Sequence, residues 1–251
     1  MKIVGVIPAR YGSTRLPGKP LKKIGNKTLI HHVYRNAGNC QKLDEIIVAT
    51  DHQQIYDEVQ SFGGRVQLTS TGHTSGTDRV AEAVANIECE YVVNIQGDEP
   101  FIEPADIDRL IEDVVARDCQ IGSLAKKGIT WKEFRNPDCV KVIIDKNNFA
   151  IYFSRHNIPY IRDINKINEE DIPALKHIGV YIFSRELLLE FTKMPISSLE
   201  KLERLEQLRL LERGYKIFIT KTTHDSLGID TPDDLKKAQG AIKRHEFNKK
   251  D

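Results

Sequence analysis

Apolar runs predicted as strands at 2–8, 44–50 and 91–95 alternate with helix-like stretches near 28–38, 52–61 and 77–87. That alternation points to a doubly wound α/β fold, a mostly parallel sheet whose strands are joined by crossover helices. Further helices are predicted at 104–116 and 203–213, and a strand at 216–220. The turn Gly228-Ile229-Asp230-Thr231 then leads into a terminal helix, with Thr231 as its N-cap and Pro232 at its first position.

Between about 121 and 183 the chain is richer in β-formers, and Val140–Ile144 and Ala150–Phe153 flank Asp145-Lys146-Asn147-Asn148, a hairpin turn in composition. This region reads as a smaller β-rich lobe inserted into one domain spanning 1–251. Residues 162–175 are polar and are expected to form a mobile surface segment, and the charged tail from Lys243 is expected to fray.

With 251 residues, 40% of them hydrophobic, the chain is long enough to fill a sizeable core. Lys and Arg total 37 against 36 Asp and Glu, so no basic field is available to hold nucleic acid. Cys40, Cys89, Cys119 and Cys139 are scattered without the spacing of a zinc site, and they read as reduced apolar fillers of a cytoplasmic protein. No apolar run reaches membrane-spanning length.

The first strand runs directly into Pro8-Ala9-Arg10-Tyr11-Gly12-Ser13-Thr14-Arg15-Leu16-Pro17-Gly18-Lys19-Pro20. Three cations, Arg10, Arg15 and Lys19, together with the amides exposed at Gly12 and Gly18, suit a nucleotide triphosphate at the carboxyl end of a parallel strand. The common ATPase loop does not fit. Gly12 and Gly18 stand one residue too far apart for it, and Pro20 follows the lysine where a hydroxyl is required. The dinucleotide fingerprint fails as well, because Ile7 stands where its second glycine belongs. The loop reads as a different phosphate cradle, against the alternative of a solvated connector.

Two acidic turns follow strands. In Asn94-Ile95-Gln96-Gly97-Asp98-Glu99, Asp98 falls at the carboxyl edge of the sheet, where it suits either a Mg²⁺ ion completed by phosphates and water or a turn cap. Asp230, before the terminal helix, is a second candidate ligand for the same ion. Thr74-Ser75-Gly76-Thr77-Asp78-Arg79 opens a helix whose first amides suit an anion or a base edge, or are simply capped, and Arg79 is expected to face the crevice. Leu199, Leu202, Leu205 and Leu208 recur at helical spacing and read as a buried face. His177 has two readings, a partner for sugar hydroxyls and a satisfied core residue.

Residues 7–21, 74–80, 94–101, 152–155 (YFSR), 177–181 (HIGVY), 203–210 (ERLEQLRL) and 228–235 (GIDTPDDL) together resemble, in order, the blocks of the CMP-Kdo synthetase family, the 3-deoxy-manno-octulosonate cytidylyltransferases. The resemblance implies a Rossmann-like nucleotidyltransferase whose smaller lobe serves sugar binding and dimerisation. It implies transfer of CMP from CTP to the anomeric hydroxyl of Kdo for lipopolysaccharide synthesis, with release of pyrophosphate. Arg10 and Lys19 would contact the triphosphate and, with Asp98 and Asp230 holding Mg²⁺, make up the catalytic set. Pro8, Ala9, Ser75, Gly76, Thr77 and Arg79 would complete the nucleotide site. Arg15, Gln96, Arg155, His177, Tyr181, Glu206 and Gln207 would surround the sugar acid, and the enzyme would be a homodimer. The rival expectations are a cytidylyltransferase for 8-amino Kdo or a sialic acid, and a nucleotide-binding regulator without activity. Independently of the resemblance, attack by a sugar hydroxyl on an α-phosphate needs cations and no covalent nucleophile, and a sugar acid's carboxylate suits an arginine fork such as that of Arg155.

Overall fold

A computed structural model describes residues 1–12 and 15–247. Ser13 and Thr14 of the phosphate loop, and the end of the expected frayed tail, 248–251, lie outside the described residues. The chain divides into two compact units, one formed by Met1–Asp108 with Ser226–Asp251 and the other by Arg109–Asp225.

The first unit begins with β1 (Ile3–Ala9), the short pair β2 (Lys23–Ile24) and β3 (Lys27–Thr28), and α1 (Leu29–Ala37). β4 (Glu45–Thr50), α2 (Gln53–Ser61), β5 (Val66–Leu68), α3 (Gly76–Val84) and β6 (Tyr91–Asn94) follow. β1 pairs in parallel with β4 on one side and with β6 on the other, and β4 pairs in parallel with β5. Val4, Val6 and Ile7 are wholly buried, the continuous apolar run expected of a central parallel strand. Leu43 packs closely over Gly5 there, its Cδ1 2.9 Å from where a Cβ would lie. The order β5-β4-β1-β6 reverses direction at β1. With right-handed crossovers, that reversal makes the fold doubly wound and opens a ligand crevice beyond the carboxyl ends of β1 and β6.

The second unit is entered along α4 (Pro104–Ala116) and contains β7 (Ile121–Lys126), α5 (Trp131–Arg135), β8 (Lys141–Ile144), β9 (Ala150–Ser154) and β10 (Leu175–Ser184). α6 (Arg185–Phe191), α7 (Ser198–Glu203), α8 (Leu208–Leu211) and β11 (Phe218–Thr222) complete it. β11 runs parallel to β7, whereas β7–β10, β10–β8 and β8–β9 are antiparallel. The lobe expected at 121–183 lies within this unit. Its hairpin turns at Asp145, whose Oδ1 accepts from the amides of Asn147 and Phe149 at 2.8 Å, with Asn148 at φ 66°. In the polar 162–175 segment, Ile172 and Ala174 are buried against Ile129 and Phe134.

The single helix predicted at 203–213 is replaced by α7 and α8, separated by Arg204 in the left-handed region at φ 53°. The leucine stripe fails for the same reason. Leu205 and Leu208 are buried, but Leu202 is 82% exposed, and the polar residues Glu200, Gln207 and Arg209 go inside instead. The chain then returns to the first unit and ends in α9 (Pro232–Phe247), where Thr231 Oγ1 accepts from the Asp234 amide at 3.2 Å as the cap.

Candidate active site

In the first unit the loop after β1 closes on itself: Gly18 donates its amide to the Tyr11 carbonyl at 3.1 Å and adopts φ 64°, a left-handed backbone that suits glycine. The next residue, Lys19, starts a 3₁₀ turn that points its side chain inward, with the Lys19 side chain 15% exposed. Its ammonium lies 2.6 Å from Asp98 Oδ2 and 3.0 Å from Asp230 Oδ1. Burial alone would lower the Lys19 pKa, but Asp98 and then Asp230 outweigh it and hold the group above its ordinary value.

The two carboxylates, far apart in sequence, are brought together by the main chain. Ile229, itself fully buried, donates its amide to the Asp98 carbonyl at 2.9 Å, and Ser226 Oγ donates to Glu99. Arg15 pairs with the other oxygen of Asp230 at 3.0 Å. The donor set, two carboxylates converging on one cation, suits Mg²⁺, which takes one or two protein carboxylates and completes its octahedron with phosphate and water. Among the described residues no group of three or more His, Cys, Asp or Glu gathers as a metal cluster, so an all-protein cage is not formed.

Gly97, one residue before Asp98, packs so closely on β1 that a Cβ would sit 2.6 Å from the Pro8 carbonyl oxygen. A Cβ on Gly76, the first residue of α3, would lie 3.4 Å from Pro8 Cγ and 4.0 Å from Gln96 Oε1. Pro8, Gly76 and Gln96 are thus neighbours. Ser75 caps α3 by accepting the Asp78 amide at 3.1 Å, and Thr77 is buried beside Asn94. Ala9 is buried at the end of β1 and Arg10 is exposed. Arg79 departs from expectation. It is 2% exposed, and its guanidinium donates to Asp51 at 2.7 Å, Thr69 at 2.6 Å and the Ser70 carbonyl at 3.3 Å. It braces the helix start from within and does not face the crevice; the partner carboxylate on the turn after β4 is not visible in the local pattern.

The second unit carries the remaining predicted residues. Arg155 donates Nε to the Glu203 carbonyl at 2.9 Å and Nη1 to the Pro137 carbonyl at 3.2 Å, while the Glu203 carboxylate accepts the Arg155 amide at 2.9 Å and the Ser154 hydroxyl at 2.6 Å. Below it, the fully buried Lys141 gives its three hydrogens to the carbonyls of Asn136, Cys139 and Arg155 at 2.9, 2.6 and 2.5 Å. Burial pushes the Lys141 ammonium below its ordinary value. Sequence reasoning missed both Lys141 and Glu203. A lysine inside an apolar strand was the available signal for the first.

His177 and Tyr181 lie on β10 with ring centroids 5.4 Å apart, and His177 Nε2 is 3.0 Å from Ser123 Oγ. Burial drives the His177 pKa down to about 3. The Gln207 amide nitrogen is buried without a hydrogen-bond partner, as a group placed to meet a polar ligand can be, and the buried Tyr181 hydroxyl has the Ser123 hydroxyl as its neighbour. Burial, and then the charge of Glu206, raises the Tyr181 pKa well above its ordinary value. The helix break at Arg204 is what turns Gln207 inward.

The cytidylyltransferase family matches residues 4–217. The 3-deoxy-manno-octulosonate cytidylyltransferase of Solibacter usitatus is 47% identical over 96% of this chain and 95% of its own. The chain belongs to this family of cytidylyltransferases. The Fusobacterium nucleatum member is 47% identical over 98% of both chains. Among solved structures, a CMP:2-keto-3-deoxy-manno-octonic acid synthetase complexed with CTP superposes on the cytidylyltransferase chain with a TM-score of 0.91 at 38% identity, over 98% of this chain and 100% of that one. A 4-diphosphocytidyl-2C-methyl-D-erythritol synthase from Anaerococcus prevotii shares the fold alone, with a TM-score of 0.62 at 15% identity.

Proposed function

We propose that this cytidylyltransferase transfers CMP from CTP to the anomeric hydroxyl of Kdo, giving CMP-Kdo and pyrophosphate for lipopolysaccharide synthesis. The observation that carries the reading is the Lys19 ammonium held between Asp98 and Asp230 beyond β1 and β6, in a chain similar over nearly its whole length to enzymes of that name.

The hydroxyl oxygen of the sugar attacks the α-phosphorus, the bond to the β-phosphate bridging oxygen breaks, and pyrophosphate leaves. Negative charge builds on the phosphoryl and leaving oxygens, so fixed cations supply the stabilisation. Lys19 and Arg10 are assigned to the triphosphate, with Pro8, Ala9 and the α3 start at Ser75, Gly76 and Thr77 shaping the nucleotide site. Asp98 and Asp230 would hold Mg²⁺, which when bound neutralises phosphate charge and orients the leaving group. Arg155 is assigned to the sugar carboxylate, and Gln96, His177, Tyr181, Glu206 and Gln207 to the sugar hydroxyls. Arg15 is assigned to the sugar acid as well, a role supported by its exposed position and requiring exchange of its Asp230 partner.

A homodimer is part of the reading, supported by Ile151 and Leu202, apolar residues of the second unit left 60% and 82% exposed. A cytoplasmic location is supported by the four free thiols. Among the described residues no helix is long and apolar enough to cross a membrane. The test is pyrophosphate release from CTP with Kdo, 8-amino Kdo, a sialic acid and a sugar 1-phosphate. Turnover with Kdo supports the assignment; turnover with only another acceptor, or with none, defeats it.

A further inference from the structure

The register of β10 against β7 slips beside the predicted acceptor residues. Ile178 pairs with Leu124 and Tyr181 with Ser123, so Gly179 and Val180 are two additional residues on β10. An insertion of two keeps the pleat parity, and His177 and Tyr181 therefore remain on one face.

Ser123, wholly buried, stands at the slip. Its Oγ lies 2.8 Å from the Val180 carbonyl oxygen, 3.3 Å from the Ile178 carbonyl oxygen and 3.0 Å from His177 Nε2. A hydroxyl carries one hydrogen, and carbonyl oxygens only accept. Aiming that hydrogen at the imidazole would leave oxygen facing oxygen at 2.8 Å in a buried site. The hydrogen therefore goes to Val180, shared with Ile178, and the hydroxyl lone pair accepts a hydrogen bond from His177 Nε2–H. A neutral ring holds one N–H, so Nδ1 is bare.

We propose that Ser123 is a positioning residue that fixes His177 as the neutral Nε2–H tautomer, so that Nδ1 accepts a hydrogen bond from a hydroxyl of the acceptor sugar. His177 is then a hydrogen-bond acceptor for the substrate and takes no part in proton transfer. The substrate role rests on the assignment of His177 to the sugar; the tautomer does not.

Imidazole ¹⁵N spectra of the histidine-labelled protein without substrate, with His177 identified by the signals lost in His177→Gln, decide the tautomer. A protonated Nε2 beside an unprotonated Nδ1 is expected; a protonated Nδ1 overturns the proposal. Steady-state kinetics decide the positioning role. Ser123→Ala should raise KM for Kdo by about five- to tenfold, the loss of roughly one hydrogen bond, with KM for CTP unchanged and mixed tautomers in the spectrum. Ser123→Thr, which keeps the hydroxyl, should restore both. Equal effects of Ser123→Ala on both substrates would mark a merely structural serine and overturn the role. If His177→Gln leaves KM for Kdo unchanged, the sugar assignment of His177 fails while the spectrum still decides the tautomer.

Discussion

The amide of Ile229 donates to the carbonyl of Asp98 at 2.9 Å, and this one main-chain bond places the turn before α9 against the turn after β6. Asp230, the next residue, is delivered to within reach of the ammonium that Asp98 also holds. The site's charge arrangement is therefore built into the backbone.

Asp98→Asn and Asp230→Asn should each lower pyrophosphate release by on the order of a hundredfold or more at fixed Mg²⁺, since each removes a carboxylate from the assigned metal pair. Both folds should survive, because each side chain is partly exposed. A Mg²⁺ titration beside thermal unfolding checks this; near-normal turnover in either variant removes that residue from the site.

Lys19→Met should cost tenfold or more in kcat/KM for CTP, the loss of a charge-assisted contact of about 1.5–3 kcal/mol. Lys22→Met, on an exposed residue outside the ion pairs, is the control and should change little. Equal, small effects would return the loop to a solvated connector.

Gly97→Ala should lower both stability and turnover. Its Cβ would stand 2.6 Å from the Pro8 carbonyl oxygen, and the obstacle is backbone that no rotamer change relieves. A fall in the melting temperature with loss of activity is expected, while Gly63→Leu offers no useful comparison because its own φ of 77° adds strain; Gly240→Ala, with open space around the position, does.

Acid stability should carry the mark of His177. Its folded pKa, about 3, lies below the ordinary 6.5, so the unfolded chain binds the proton first as pH falls. The stability is fully present above about 6.5 and is lost progressively as pH drops toward 3, with a slope of at most about 1.4 kcal/mol per pH unit from this group. Urea unfolding of the parent and of His177→Gln between pH 7 and pH 4 tests it. Identical pH dependence in the two would show that the ring is not held neutral.

Arg209→Met should destabilise by about 3–5 kcal/mol, because it leaves Glu200 buried without its partner. Arg209 now lies 2.5 Å from Glu200 Oε1 and also donates to the Phe191 carbonyl at 3.2 Å. Equilibrium denaturation gives the value, and a loss under 1 kcal/mol would show that the pair contributes little.

Periodicity made β1, β4, β6 and α4 legible, since long apolar runs and amphipathic stripes are local signals. The charged loop and Asp98 were legible for the same reason: they follow strands whose ends are easy to place. What stayed hidden depends on partners distant in sequence. Arg79 looked free because Asp51 and Thr69 belong to other elements. Glu206 and Gln207 were misplaced on one helix because nothing in the leucine spacing announces a left-handed Arg204. Ser123, a small residue in a buried strand, acquires meaning only once β10 slips against it.

Lys19 also answers what keeps two like charges side by side. The chain supplies its own counter-ions, Lys19 between the two carboxylates and Arg15 on Asp230, so the pair is neutralised from within. On the proposed Mg²⁺ assignment folding would not depend on the metal: a chelator should silence turnover and leave the melting curve where it was, unlike a domain whose structure is bought with zinc. A cation held by Asp98 and Asp230 would have to displace an ammonium rather than organise a disordered loop, and Lys19 would then be available to the incoming phosphates.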